Sequence, residues 1–491
     1  MSFHSLAAQV VCTGFTGTSE ADAPLERMAN LGIRATILFP RNLEHPEQVQ
    51  QLTSALQRAL GDTAPALIGI DQEGGAVARL REGVVALPSM MALGATRDVD
   101  LARRAARRLG CDLRALGINL NFAPVLDLAL EPGNTVIGTR SFGGDPHTVS
   151  EFGHAFAVGL RSGGVVAVGK HFPGHGATAT DSHVARPVVA VDAATLRARD
   201  LIPFADAIGA GISALMTAHV LVPSLDPDLP ATMSRVILHD LLRDELHFCG
   251  ALFSDCFEMA ALGEADASLA PRALGAGVDC ILISHRLDLA EASIEAIVQA
   301  VETGMLSSER LSEAAARMRA LRASIGPNPS QDEDARVGDA AVGREIARKA
   351  VTVVRGSIGL EAREPVTVIS FEQDEPASLS SALRKRGHKS EIMRVSLEPR
   401  VDELELLEMV IAGMPGRQIV IVMRRAHLHP GQAAAITRLL LAAPDSILIS
   451  AREPYDASLF ERAKNLACIY NDTEVSIEGL ADVMTARAAN A

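Results

Sequence analysis

Short apolar runs rich in β-branched residues recur along the first 290 residues: QVVCTGF, IRATILF, ALIGID, INLNFAPVLDL, VVAVGKHF, ALMTAHV, ALFSD and DCILIS. Between them lie stretches such as PEQVQQLTSALQRAL and TVSEFGHAFAVGLRSGG, whose apolar residues return at helical spacing. Strand–helix alternation implies parallel pairing, because a parallel neighbour is reached through a crossover helix. Eight such units predict a closed (β/α)8 barrel. A doubly wound open sheet is the competing arrangement.

The pattern breaks at IGPNPSQDEDARVG, residues 325–338, a polar stretch with two Pro and two Gly, and this reads as a linker. Alternation then resumes. VTVISF, EIMRV, QIVIVMR, SILISAR and LACIYN are separated by the helical patterns SLSSALRKRG, DELELLEMVIAG and GQAAAITRLLLAA. The expected organisation is a barrel over residues 1–325, a linker over 326–345 and a smaller α/β domain with a mostly parallel sheet over 346–491.

With 491 residues, both domains are long enough to bury a core. The formal net charge of -14 disfavours nucleic acid and anionic membranes as partners. The six cysteines form no CxxC and read as buried free thiols of a reducing compartment. The N-terminus lacks the basic and long apolar regions of a signal peptide, and no apolar run reaches the ~20 residues of a membrane span. A cytoplasmic location is therefore expected. Trp is absent and both Tyr lie beyond residue 450, so a sugar ligand would have to stack on Phe or aliphatic walls.

In a parallel barrel the chemistry gathers at the carboxyl ends of the strands. Those ends carry Asp71, Asp127, Lys170 with His171, His219 and Asp255. The densest stretch, KHFPGHGATATDSH, adds His175, Asp181 and His183. Asp181 and His183 are two apart, which puts both side chains on one face of an extended segment. A carboxylate accepting from one imidazole nitrogen fixes the tautomer and frees the other nitrogen to carry protons. His171, His175, Asp181 and His183 could alternatively ligate a metal, but Lys170 places a cation where the metal would sit. No metal and no cofactor are expected. Asp255, after an apolar strand, has the makings of a nucleophile in acetal chemistry when a proton donor faces it.

IDQEGGAVAR, FAPVLDL, IGTRSF, GKHFPGHGATATDSH, MTAHV and FSDCFEM, in that order, resemble the barrel of glycoside hydrolase family 3, in its β-N-acetylglucosaminidase branch. The second domain resembles, more loosely, the α/β sandwich that many members carry after a TIM-like barrel. The resemblance implies a retaining mechanism with Asp255 as nucleophile and His183, assisted by Asp181, as acid/base. It implies sugar contacts from Asp71, Arg79, Arg140, Lys170 and His171, and no catalytic residue in the second domain. Ala76 stands where the family usually has Arg after EGG, while the spacing of Arg79 from Asp71 is kept. The expected activity is exo removal of terminal GlcNAc from small glycans or muropeptides, such as fragments entering peptidoglycan recycling. A phosphorylase, with phosphate as acceptor, is the alternative within this chemistry. A metal-dependent amide or ester hydrolase is the alternative of another class.

Overall fold

The computed structural model describes residues 1–178, 187–326, 340–361, 364–371, 378–413 and 416–486. Eight parallel strands close the first sheet: β1 (Val11–Thr13), β2 (Ala35–Leu38), β3 (Leu67–Ile70), β4 (Leu120–Asn121), β5 (Val166–Phe172), β6 (Ala214–Thr217), β7 (Ala251–Cys256) and β8 (Cys280–Ile283). Each pairs with its neighbour in chain order, and β8 returns to β1. All eight expected runs contain these strands, and the open-sheet alternative is excluded. The run 118–128 contributes a strand of only two residues: the Ala123 N–H turns back to Asn121 O at 2.8 Å, and Pro124 after it has no N–H to give. Beyond it, Val125 makes one isolated bridge to Lys170.

Alternation along each strand sends one set of side chains into the barrel and the other toward the helices. The interior set includes Ile37, Leu67, Phe122, Val168, Met216, Phe253 and Leu282, all buried. Met318, Leu321 and Ile325, from the end of the helix Ser308–Ala323 and just beyond it, join this interior cluster. The outer set packs on amphipathic helices with ordinary start and stop signals. The helix Pro146–Ser162, for example, begins with Asp145 accepting from Thr148 N and Pro at its first turn, and ends at Gly163. It lies close against the helix Val99–Ala115 because Gly159 and Gly163 leave no Cβ to strike that helix's backbone.

The second sheet has six strands: β9 (Thr352–Arg355), β10 (Val366–Phe371), β11 (Ser390–Val395), β12 (Gln418–Met423), β13 (Ile447–Ser450) and β14 (Asn465–Cys468). Their order is β9-β14-β13-β12-β10-β11, all parallel except β9, which runs antiparallel to β14. Leu379, Leu383, Ile477 and Leu480 cover one face, and Leu404, Leu407, Ile436 and Leu439 the other. This is an α/β sandwich with a mixed sheet. β9 is absent from the sequence expectation because its valines 353 and 354 face solvent at the sheet edge and show no apolar alternation.

The helix Ala341–Ala350 joins the two domains, packing on Glu474–Thr485 of the sandwich and on the barrel helices Met90–Ala95 and Val99–Ala115. Cys12, Cys280 and Cys468 are buried free thiols, as expected; Cys249 instead lies exposed. Among the described residues no helix is long and apolar enough to cross a membrane.

Candidate active site

A cavity of about 600 Å³ opens at the carboxyl ends of the barrel strands, lined by Asp71, Arg79, Arg140, Lys170, His171 and Asp255 among others. Six of the eight residues expected to form the site therefore converge on one pocket. The other two, Asp181 and His183, lie in residues 179–186, outside the described residues.

One wall is a chain of alternating charges. Lys170, on the buried strand β5, donates from Nζ to Asp71 Oδ1 at 2.8 Å and lies 2.7 Å from Glu73 Oε1. Arg140 grips Glu73 with a two-pronged pair, Nε to Oε2 and a terminal nitrogen to Oε1, both 2.8 Å. Glu73 and Lys170 are almost wholly buried, and such charges persist only when paired and hydrogen-bonded. Burial alone would raise the Glu73 carboxyl, but Arg140 and Lys170 outweigh it and hold it well below the ordinary carboxylate range. Burial likewise works against the Lys170 ammonium, and Asp71 and Glu73 more than compensate. Asp71 keeps its other oxygen at the pocket, 4.0 Å from Arg79. Carboxylate acceptors thus alternate with ammonium and guanidinium donors, the set that vicinal sugar hydroxyls require.

A second wall fixes a histidine. His171 Nδ1 donates to Asp127 Oδ2 at 2.6 Å, so Nε2 is left for the pocket. Asp127 also accepts main-chain N–H bonds from His171 at 3.2 Å and His175 at 2.7 Å. Burial alone would raise Asp127, yet His171 and these bonds keep it below its usual pKa. His175 presents a buried Nε2 without a hydrogen-bond partner, and burial lowers its pKa, keeping the ring neutral.

Asp255 closes the pocket at the end of β7. Burial by itself would raise its pKa, but His171 and His219 outweigh that effect and hold the carboxyl below its usual range. The Cys256 N–H adds a bond to Asp255 Oδ1 at 2.7 Å. His219 stands behind the strand end: its Nε2 donates to Cys256 O at 3.0 Å and its Nδ1 lies 2.8 Å from Thr232 Oγ1. It tethers the backbone that carries Asp255, whereas the sequence had set it among the strand-end candidates. Opposite, Phe39 forms an apolar rim, with the His285 ring stacked on it at 5.4 Å.

Residues 8–321 match the glycosyl hydrolase family 3 N terminal domain. The chain belongs to glycoside hydrolase family 3. A Beta-hexosaminidase of Nitrosomonas eutropha is 39% identical over 305 residues, covering 60% of this chain and 86% of the relative. Beta-hexosaminidase A of Pseudoalteromonas piscicida is 31% identical over 501 residues, covering 90% of this chain and 83% of its own. The solved family 3 beta-N-acetylglucosaminidase from Paenibacillus sp. str. FPU-7 is 36% identical with a TM-score of 0.91, covering 99% of this chain and 97% of that one.

This glycoside hydrolase carries two site residues to which the sequence reading gave no role. Glu73 lies within the quoted motif IDQEGG, and its spacing of two from Asp71 just past a strand was the available signal: that spacing puts two carboxylates on one face. Asp127 was visible as a strand-end residue, but its service to His171 depends on the β4–β5 neighbourhood. Phe39 and His285 carry no sequence signal at all. Among the described residues, the three side chains grouped closely enough to hold a metal are His239, Asp240 and Asp244, none of which lines this pocket.

Proposed function

We propose that this family 3 enzyme is an exo-acting, retaining β-N-acetylglucosaminidase. The observation that carries the reading is an Asp255 carboxylate kept ionised at the floor of a pocket whose walls offer alternating donors and acceptors for one sugar ring. An ionised carboxylate can attack the anomeric carbon as the aglycone departs, forming a glycosyl ester, and leave again as carboxylate when water attacks that carbon in the second step. His183, oriented by Asp181, gives a proton to the departing oxygen and then takes one from the incoming water. Asp71, Lys170, His171, Arg79 and Arg140 hold the glycon. The likeness to beta-hexosaminidases and to a beta-N-acetylglucosaminidase supports a terminal GlcNAc as that glycon.

The natural substrate in this reading is a small glycan or muropeptide fragment of peptidoglycan recycling, processed in the cytoplasm. Water is the acceptor. Hydrolysis of p-nitrophenyl β-GlcNAc, with products resolved as GlcNAc or GlcNAc-1-phosphate across a phosphate titration, tests the reading. Free GlcNAc at every phosphate concentration is expected. GlcNAc-1-phosphate as the main product at millimolar phosphate would make the enzyme a phosphorylase, and chelator-sensitive amide or ester cleavage would move it to another class.

A further inference from the structure

In open parallel sheets the crevice beyond the carboxyl ends of the strands commonly holds a ligand. In the second domain, residues just past those ends instead press on the barrel loop that carries Arg140. After β12, Arg425 adopts a left-handed backbone at φ 53, a conformation that side-chain-bearing residues keep only where surroundings enforce it. Its guanidinium holds the buried Glu453, which follows β13, through two bonds of 2.9 and 2.8 Å. The Glu453 carboxylate lies directly against Gly138, which sits at φ 42, and a Cβ at that position would run into it.

Gly138 opens the short turn Gly138–Arg140. Arg140 is tied to this loop by its own N–H to Ile137 O at 2.8 Å and by its guanidinium to Val136 O at 2.9 Å. Two more second-domain groups hold the same loop: His427 Nε2 donates to Pro132 O at 3.1 Å, and Tyr455 OH donates to Ala129 O at 3.2 Å. Within the loop, Asn134 accepts from Val136 N and Ile137 N and donates to His175 O. A shift of the loop therefore reaches both walls of the pocket.

We propose that Glu453, held by Arg425, is a positioning residue for the glycon pocket: it braces Gly138 and so sets where Arg140 holds Glu73, the carboxylate that Lys170 shares. This rests on the assignment of that pocket to the sugar. The second domain then contributes to catalysis without placing a group on the substrate, and its sheet-end crevice serves a loop of the same chain.

The test uses the full chain with Glu453→Gln, Arg140→Lys and the double variant, assayed on p-nitrophenyl β-GlcNAc well below their melting temperatures. Glu453→Gln should cut kcat/KM about ten- to hundredfold, mostly by raising KM, since it misplaces the hydroxyl grip and leaves Asp255 untouched. In the Arg140→Lys background the same change should cost less than about twofold, because coupled residues lose their effect once the shared partner is gone. Lys349→Ala, which breaks an interdomain contact to Asp98 away from this loop, should lower the melting temperature and leave kcat/KM unchanged. Gly138→Ala introduces the clash from the barrel side and should reproduce the KM rise, even if Glu453→Gln does not fold. Multiplying losses in the double variant, or a Glu453→Gln and Gly138→Ala pair that melt early with intact kcat/KM, overturn the proposal. Failure of the functional reading looks different: wild-type protein that releases no nitrophenol, or Arg140→Lys at the wild-type rate, removes the assigned pocket and the proposal with it.

Discussion

Glu73→Gln is the sharpest single perturbation of the charge chain, because it removes one charge while keeping the side chain's size. Glu73 is 1% exposed and shared by Arg140 and Lys170. Lys170 and the Arg140 terminal nitrogen share Glu73 Oε1 while Arg140 Nε holds Oε2, so the glutamine amide, whichever way it turns, sets an N–H donor against at least one of these donors. Breaking a buried ion pair from one side costs about 3–5 kcal/mol, since the remaining charges stay buried and uncompensated. For a barrel of this size, roughly 1.5 °C of melting temperature is lost per kcal/mol, so a fall of about 5–8 °C is expected at neutral pH. The pH dependence follows from the direction of the shift. Glu73 is held well below its ordinary pKa in the fold, so its stabilisation is complete above the unfolded value near 4.3 and fades as the pH drops toward the folded one. Melting curves of wild type and variant should therefore stay separated from pH 7 to about 5 and converge below about 4. Activity should fall about a hundredfold in kcat/KM, through misplacement of Lys170 and Arg140. A variant that melts within 1 °C of wild type at pH 7, or a gap that stays constant from pH 5 down to about pH 3, would contradict this.

Asp127→Asn offers a carboxamide to His171 Nδ1 and favours the wrong tautomer; kcat/KM should drop about tenfold or more, with kcat affected more than melting temperature, as steady-state assays and calorimetry can separate. His183→Ala should lose ~10²–10⁴-fold on poor leaving groups and far less in pre-steady-state glycosylation with dinitrophenyl glycosides, and equal losses on both would assign it a positioning role. Cys256 lines the pocket, yet burial pushes its thiol up to about 12, so alkylation at pH 7.5 followed by peptide mapping should modify the exposed Cys249 and spare Cys256; rapid labelling of Cys256 with loss of activity would contradict that environment.

The barrel was legible because the strand runs are apolar on both faces, and nearly every one carries a polar or ionisable residue at the same end. That rule located Asp71, Lys170, His171 and Asp255 without help, since a strand end is a local feature. Arg140 was different. It sits on a turn far from any strand end in sequence, and only the motif resemblance pointed to it; its reason for being there, the pair with Glu73, is a contact across the barrel mouth. Glu453 was illegible for a related cause. Its meaning depends on Gly138, more than three hundred residues away in the chain, and on a left-handed backbone at Arg425 that composition does not reveal. The two Tyr, which sequence reading could only place late in the chain, turn out to donate hydroxyls at Ala129 O and Thr352 Oγ1.

The central claim is that Asp255 is the nucleophile of a two-step, retaining reaction. Incubating wild-type protein with a slow fluorinated GlcNAc-type substrate, then digesting and sequencing by mass spectrometry, tests it most directly. One glycosyl ester is expected, on Asp255, that disappears when the substrate analogue is washed out and is never formed by Asp255→Asn. An adduct on any other residue, or turnover by Asp255→Asn at the wild-type rate, would contradict it.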